Sequence, residues 1–164
     1  MSTRRQARER VMQALYAYEL SGSDAQEIIR TVLKRELDPA AHAFATSLFL
    51  QTINQSSETN EIIKLHTRNW ELRRIALIDR ILMRIAITEL LGFPDIPPKV
   101  TINECIEVAK EYSTAQSGKF INGILDAILG ELTKAGKISK TGRGLVDIST
   151  ANPVRQKTVV RESE

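Results

Sequence analysis

Residues 75–91 read IALIDRILMRIAITELL and are the stretch of the chain densest in apolar residues. Apolar side chains recur there every three or four positions, which is the period of one face of an α-helix. The residues of this face are Ile75, Ile78, Leu82, Ile85, Ala86 and Leu90. Charged residues interrupt the stretch, whereas a bilayer-spanning helix needs about 20 mostly uncharged residues. The stretch therefore predicts a core helix over about residues 72–91 and no membrane association.

Helix-start signals divide the rest of the chain into further helices, because Ser, Thr and Asp commonly cap helix N-termini. Such signals lie at Thr3 with Gln6, Ser23 with Gln26, Asp38 with Pro39, Thr101 with Glu104, and near Ser117. A short helix is also predicted around residues 62–65 after a polar break at 55–60, and the proline-rich residues 92–99 predict a loop. Alternation with the period of a strand is absent, so the predicted fold class is all-α, with seven or so helices.

Composition and length bound the organisation of the chain. With 164 residues, 42% hydrophobic and 26% charged, the sequence is of ordinary globular composition and has the length of one domain. Helical periodicity stops after Lys134, where Gly, Ser, Thr and Lys become frequent. We expect a helical domain over residues 1–133 and a flexible basic tail over residues 134–164.

The charge is unevenly distributed along the chain. The net charge is +3, but the first ten residues and the predicted tail are basic while the segment between them is mildly acidic. Basic ends favour an anionic partner, of which nucleic acid is the commonest. The single Cys cannot form an internal disulfide, and the N-terminus lacks the apolar core of a signal peptide. We therefore expect a cytoplasmic protein.

Catalytic and metal-binding patterns are nearly missing from the sequence. His42 and His66 lie far apart in the sequence with no ligand at zinc spacing beside them. Cys105 falls on the apolar face of its helix, which favours a buried, inert thiol. Gly118-Lys119 lacks the first Gly and the Ser or Thr of a phosphate-binding loop. The sequence predicts no catalytic residue, no metal and no cofactor.

The first helix carries the strongest functional signal. Arg4 and Arg5 begin it, although acidic residues are favoured there by the helix dipole. Arg5, Arg8 and Tyr16 fall on the flank of its apolar face, near the boundary with solvent. Guanidinium groups bind phosphates, and an exposed Tyr can stack on bases. The alternative is a solvated basic helix end with Tyr16 at the edge of the core.

Two further features have both functional and structural interpretations. Residues 113–119 are predicted to form a loop before the last helix, where backbone amides and Lys119 could hold an anion. The alternative is a capped turn. Asp79 and Arg80 are predicted to face away from the apolar side of their helix. They form either a solvated charged face or the contact surface of a protein partner.

Four segments of this sequence resemble the NusB family of bacterial transcription antitermination proteins. They are RRQARE with QALY at residues 4–9 and 13–16, IDRIL through EL at 78–90, DIP with VTINE at 95–104, and SGKFINGILD at 117–126. The resemblance covers about residues 3–132 and is weaker over residues 24–70. It implies an all-helical fold of two packed three-helix bundles and a role without catalysis.

The resemblance also implies partners and site residues. The family binds the boxA element of nascent RNA together with the ribosomal protein NusE, and joins other Nus factors and RNA polymerase in ribosomal RNA transcription. The predicted RNA-binding residues are Arg4, Arg5, Arg8, Gln116, Lys119 and Phe120. The predicted protein-partner face consists of Tyr16, Asp79 and Arg80. Relatives often carry an acidic residue at the position of Gln116, and the neutral side chain is expected to ease the approach of RNA.

Two alternatives remain open at this point. Some ribosomal RNA cytosine methyltransferases carry a similar helical domain, but no catalytic segment or Gly-rich cofactor turn accompanies the helices here. The second alternative is a helical adaptor that bridges proteins without binding RNA. The free protein is expected to be a monomer or a weak homodimer that dissociates to form the heterodimer with NusE.

Overall fold

The computed structural model describes residues 3–34, 36–68 and 75–145, and seven α-helices lie within them. A π-helical turn, Ile29–Leu33, continues the second helix, and a short 3₁₀ turn, Gly142–Leu145, follows the last. The helices are α1 Arg4–Ser21, α2 Ala25–Ile28, α3 Pro39–Asn54, α4 Ser56–His66, α5 Leu77–Gly92, α6 Pro98–Tyr112 and α7 Ala115–Lys134. The described residues contain no strand, and the predicted all-α class is confirmed.

Helix α5 is the centre of the molecule. Every residue from Ile81 to Leu90 is buried, which is typical of a helix surrounded by other helices. Helices α1, α2 and α3 form one three-helix bundle, and α5, α6 and α7 form the second, with α4 packed on α5 and α7. Because α5 also contacts α1 and α3, it joins both bundles around one hydrophobic core.

Two of the predicted helix starts are confirmed in atomic detail. The Thr3 hydroxyl accepts a hydrogen bond from the backbone of Gln6, whose side chain accepts one from the Thr3 backbone. This reciprocal capping box begins α1, and Gly22, with a φ of 69°, ends it in the left-handed region. Asp38 caps α3, with Pro39 in the first turn.

Four other predicted boundaries were wrong by a few residues. Asp24 rather than Ser23 caps α2, because its carboxylate is the stronger acceptor for the Glu27 amide. Helix α6 begins at Pro98, inside the predicted loop, since proline is well suited to the first helical position. Helix α7, capped by Thr114, begins at Ala115, two residues before the predicted start near Ser117, and α4 begins at residue 56, inside the predicted break. The predicted fifth-helix start near residue 72 lies outside the described residues.

The segment after α7 packs onto the end of α5. The Lys140 ammonium is buried and donates to the carbonyl oxygens of Glu89 and Phe93, at 3.2 and 2.8 Å. Each of these carbonyls also accepts a backbone amide, from Phe93 and Ile96 respectively, so Lys140 is a second donor to both, at the helix end where a cation is favoured. Lys140, in the segment predicted to be a tail, thus contacts the end of α5. Residues 146–164 lie outside the described residues.

In the described part of the chain, no helix is both long and apolar enough to cross a membrane.

Candidate nucleic-acid interface

A surface groove of about 1090 Å³ opens beside the start of α1. The turn between α5 and α6, the first turns of α6 and the 3₁₀ turn form its other walls. The residues that line it are Thr3, Arg4, Arg5, Arg8, Asp95, Ile96, Pro97, Val100, Glu104, Thr141, Gly142 and Arg143. The arginines outnumber the carboxylates in this set, so the groove has a positive balance of charge. Val100, which is 40% exposed, adds an apolar surface to it.

Arg4 and Arg5 lie at the mouth of the groove, and both are exposed. Arg5 donates two hydrogen bonds to the Glu104 carboxylate, at 2.7 and 3.0 Å, and these lower the pKa of Glu104 against the effect of its partial burial. Arg4 makes a looser pair with Asp95, at 3.7 Å. Exposed ion pairs of this kind are weak and exchange readily. Both guanidinium groups are therefore accessible to an anionic ligand.

Arg8 is not at the solvent boundary as predicted, but is buried, with 4% of its surface exposed. Its guanidinium donates to both Glu89 carboxylate oxygens, at 2.8 and 2.7 Å. Thr101 donates a further hydrogen bond to Glu89 at 3.2 Å. A buried cation needs such partners, since an unpaired charge in the interior is strongly unfavourable. Arg8 thus supports the floor of the groove and joins α1 to α5.

Phe44 is a residue of this region that the sequence argument missed. The guanidinium carbon of Arg4 lies 4.7 Å from the centre of its ring, and that of Arg8 lies 5.4 Å away. Such cation–π contacts favour arginine over lysine and restrict where the side chains lie. Phe44 belongs to α3, and its contacts with arginines of α1 leave no pattern in the local sequence.

Gln116, Lys119 and Phe120 lie in the first two turns of α7, so the prediction that Gln116 and Lys119 belong to a loop was wrong, and both of these side chains are exposed. They do not line the groove described above. Ser117, beside them, contacts Asp79 near the start of α5, whereas the groove adjoins Glu89 near its end. Ten residues of helix correspond to about 15 Å. The structure therefore separates the predicted RNA-binding residues into two patches.

Asp79 is buried, with 6% of its surface exposed, so the prediction that it faces solvent was wrong. The Ser117 hydroxyl donates to one of its carboxylate oxygens at 2.8 Å. Because Ser117 lies in the first turn of α7, this carboxylate occupies the positive end of the helix dipole. The structure thus places one of the protein's own carboxylates at this helix start.

The other two residues of the predicted protein-partner face differ in exposure. Arg80 is half-buried, and its buried Nε finds no hydrogen-bond partner among the described residues. Tyr16 is 40% exposed on α1, as the sequence predicted. A large aromatic residue left on the surface is a common feature of protein interfaces.

The thiol of Cys105 is buried, as predicted, and donates to the carbonyl oxygen of Leu82 at 3.4 Å. Burial raises its pKa well above the ordinary value, which keeps it protonated and unreactive. The described residues include no group of three or more His, Cys, Asp or Glu side chains placed to hold a metal ion.

Comparison with known proteins shows what this chain is similar to. The sequence pattern of the NusB family matches residues 5–130. The transcription antitermination protein NusB of Salinibacter ruber is 49% identical over 152 residues, which are 92% of this chain and 95% of the relative. That of Chloroherpeton thalassium is 45% identical over 148 residues, with coverage of 89% and 70%.

Solved structures agree with these sequence relatives. NusB of T. maritima superposes with a TM-score of 0.74 at 37% identity, over 79% of this chain and 92% of the other. A crystal structure of the antitermination factors NusB and NusE in complex with dsRNA superposes with a TM-score of 0.71 at 25% identity, with coverage of 78% and 96%.

The fold and the groove together define an all-helical protein built of two bundles around α5, with a cationic groove where α1 begins. The chain belongs to the NusB family, whose relatives are transcription antitermination proteins. The family predicted from the sequence is thus confirmed.

Proposed function

We propose that this protein binds boxA RNA together with the ribosomal protein NusE and acts in transcription antitermination. The observation that carries the proposal is the groove itself, where the exposed guanidinium groups of Arg4 and Arg5 lie beside the apolar surface of Val100. Phosphates pair with the arginines, and a ribose or base packs on the apolar wall. The similar structure of NusB with NusE and dsRNA supports this assignment.

The second patch, with Gln116, Lys119 and Phe120, extends the RNA path along α7 in this proposal. Tyr16 and Arg80 form the NusE-binding face. Asp79 is buried beneath this face and positions the start of α7 through its hydrogen bond with Ser117. The assembly includes other Nus factors and RNA polymerase, and it acts on ribosomal RNA transcripts in the cytoplasm. Within it this protein is a monomer, and any weak homodimer of the free protein dissociates before the heterodimer with NusE forms. Its role is binding, without catalysis.

The decisive experiment is a binding titration of boxA RNA, with and without NusE, over a series of salt concentrations. Phosphate contacts predict an affinity that falls steeply as salt rises. Arg4→Gln and Arg5→Gln should each reduce the slope of log affinity against log salt by about 0.7, the contribution of one contact to a single strand. Lys64→Gln, an exposed cation on α4, is the matched control and should leave the slope unchanged.

If the parent protein binds no RNA in the presence of NusE, the proposal is refuted and the adaptor that bridges proteins only is favoured.

The second patch has its own test. Gln116→Asp should weaken boxA binding because a carboxylate repels phosphate, whereas Gln116→Ala should weaken it less. If both variants bind like the parent at moderate salt, this patch does not contact RNA.

A further inference from the structure

The segment that follows α7 forms one wall of the cationic groove. Thr141, Gly142 and Arg143 line it together with Arg4 and Arg5, although they follow the last helix in sequence. This segment lies beyond residue 130, where the match to the family pattern ends. Its contribution to the groove is therefore additional to the part of the chain that the family pattern describes.

Several contacts fix the position of this segment. Lys140 is held by the two carbonyl oxygens at the end of α5. Just after it, the Thr141 amide donates to the carbonyl oxygen of Pro94 at 3.0 Å, and the Gly144 amide donates to that of Thr141 at 2.9 Å. Arg143 thus lies in a hydrogen-bonded turn whose preceding residues are bonded to the body, which reduces the ordering of the backbone that ligand binding requires.

Gly144 fits a space that no other residue can occupy. A Cβ atom built on it would lie 1.8 Å from the carbonyl oxygen of Pro94, which is a backbone atom and cannot turn aside. Any substitution at Gly144 must therefore move the segment away from the turn between α5 and α6. This makes Gly144 a means of displacing Arg143 without changing its charge.

Arg143 differs from the other arginines of the groove in its partners. Arg4, Arg5 and Arg8 each pair with a carboxylate. For Arg143, which is exposed, the described residues provide neither an ion pair nor a side-chain hydrogen bond. A phosphate must displace Asp95 or Glu104 to reach the exposed arginines at the mouth, whereas no carboxylate of the described residues competes with it at Arg143.

We propose that residues 140–145 are a built-in wall of the RNA-binding groove, and that Arg143 is a backbone phosphate contact for the RNA strand lying in it. The proposal rests on the proposed RNA-binding function. Because phosphate contacts carry no sequence information, Arg143 adds affinity for RNA and leaves the preference for boxA unchanged.

The test is a titration of boxA RNA with the full chain and NusE at several salt concentrations. Arg143→Gln should weaken binding about tenfold, the effect of one charged hydrogen bond, and reduce the salt slope by about 0.7. Lys137→Gln removes the same charge from the same segment, away from the groove, and should change neither quantity.

Gly144→Ala tests the placement of the segment, with thermal unfolding as a check that the body remains folded. It should weaken RNA binding as Arg143→Gln does, and the double variant should be no weaker than either single one, because both remove the same contact. Affinity that rises in Gly144→Ala would show that the segment obstructs the groove, and would overturn the proposal.

The remaining outcomes separate this proposal from the proposed function. If Arg4→Gln weakens RNA binding while Arg143→Gln does not, the groove binds RNA but its C-terminal wall takes no part. If Arg143→Gln and Lys137→Gln lose equal RNA affinity, the effect comes from the net charge of the protein and not from a specific contact of Arg143. If Arg143→Gln weakens only the formation of the NusE heterodimer, the wall contacts protein. If the parent protein does not bind RNA, both the proposed RNA-binding function and the proposed Arg143 contact are refuted.

Discussion

The guanidinium of Arg8 and the carboxylate of Glu89 form a two-pronged buried ion pair, with hydrogen bonds of 2.8 and 2.7 Å, between α1 and the end of α5. Helix α1 supplies both this buried arginine and the exposed Arg5, which pairs with Glu104 on α6. One basic helix start therefore provides a structural cation and two ligand-accessible ones, Arg4 and Arg5.

Removing one partner of the buried pair should destabilise the protein strongly. Arg8→Met is expected to lower the free energy of unfolding by about 3–5 kcal/mol, because it leaves the Glu89 carboxylate buried without its counter-ion. The double variant Arg8→Met, Glu89→Leu should recover much of that loss, since neither charge of the pair remains. Urea denaturation measures both. An Arg8→Met protein of normal stability that fails to bind RNA would instead place Arg8 among the RNA contacts.

The hydrogen bond between Ser117 and Asp79 should contribute to stability rather than to a charged surface. Ser117→Ala is expected to cost about 1–3 kcal/mol, because the buried carboxylate loses the donor at the start of α7. Asp79→Asn should cost less, since its side-chain oxygen still accepts from Ser117 and the buried charge disappears. Thermal and urea unfolding of the two variants test this order. The reverse order would mean that the negative charge of Asp79, rather than the hydrogen bond that its oxygen accepts from Ser117, stabilises the start of α7.

The pair of Arg5 and Glu104 predicts a specific dependence of stability on pH. Hydrogen bonds from Arg5 hold the pKa of Glu104 below its ordinary value of 4.5. The stabilisation is therefore complete above that value and is lost as the pH falls through the lower pKa of the folded protein. For so exposed a pair we expect about 1 kcal/mol or less. The difference in unfolding free energy between the parent and Glu104→Gln should shrink between about pH 5 and pH 3, and a constant difference would contradict the assignment.

Tyr16 should matter for partner binding and hardly for folding. Tyr16→Ala is expected to weaken the heterodimer with NusE about tenfold or more, since exposed tyrosines are frequent hot spots of interfaces. Its unfolding free energy should stay close to that of the parent, because the side chain is already well exposed. Calorimetric titration with NusE measures the affinity. Leu65→Ala, an exposed apolar residue on α4, is the control, and an equal loss there would show a non-specific apolar effect.

Local signals in the sequence determined most of the helical structure. The capping pair of Thr3 and Gln6, the Asp38-Pro39 start and the apolar period of residues 75–91 act within a few residues of each other. Physical preferences at that range do not depend on the rest of the fold, so they could be recognised without it. The same holds for Cys105, whose place on an apolar face predicted its burial.

Only the tertiary structure decided which charged residues are buried and which meet solvent. The helical period gives the angle of a side chain around its axis, but the depth of burial depends on the helices that pack over it. The sequence therefore predicted a surface position for Arg8, because its partner Glu89 lies 81 positions away in the sequence. Arg143 and Lys140 lay in a segment without periodicity, and the site of Lys140 exists because the end of α5 presents two carbonyl oxygens to it. Contacts between residues so distant in sequence leave no local pattern, which is why folding had to place them.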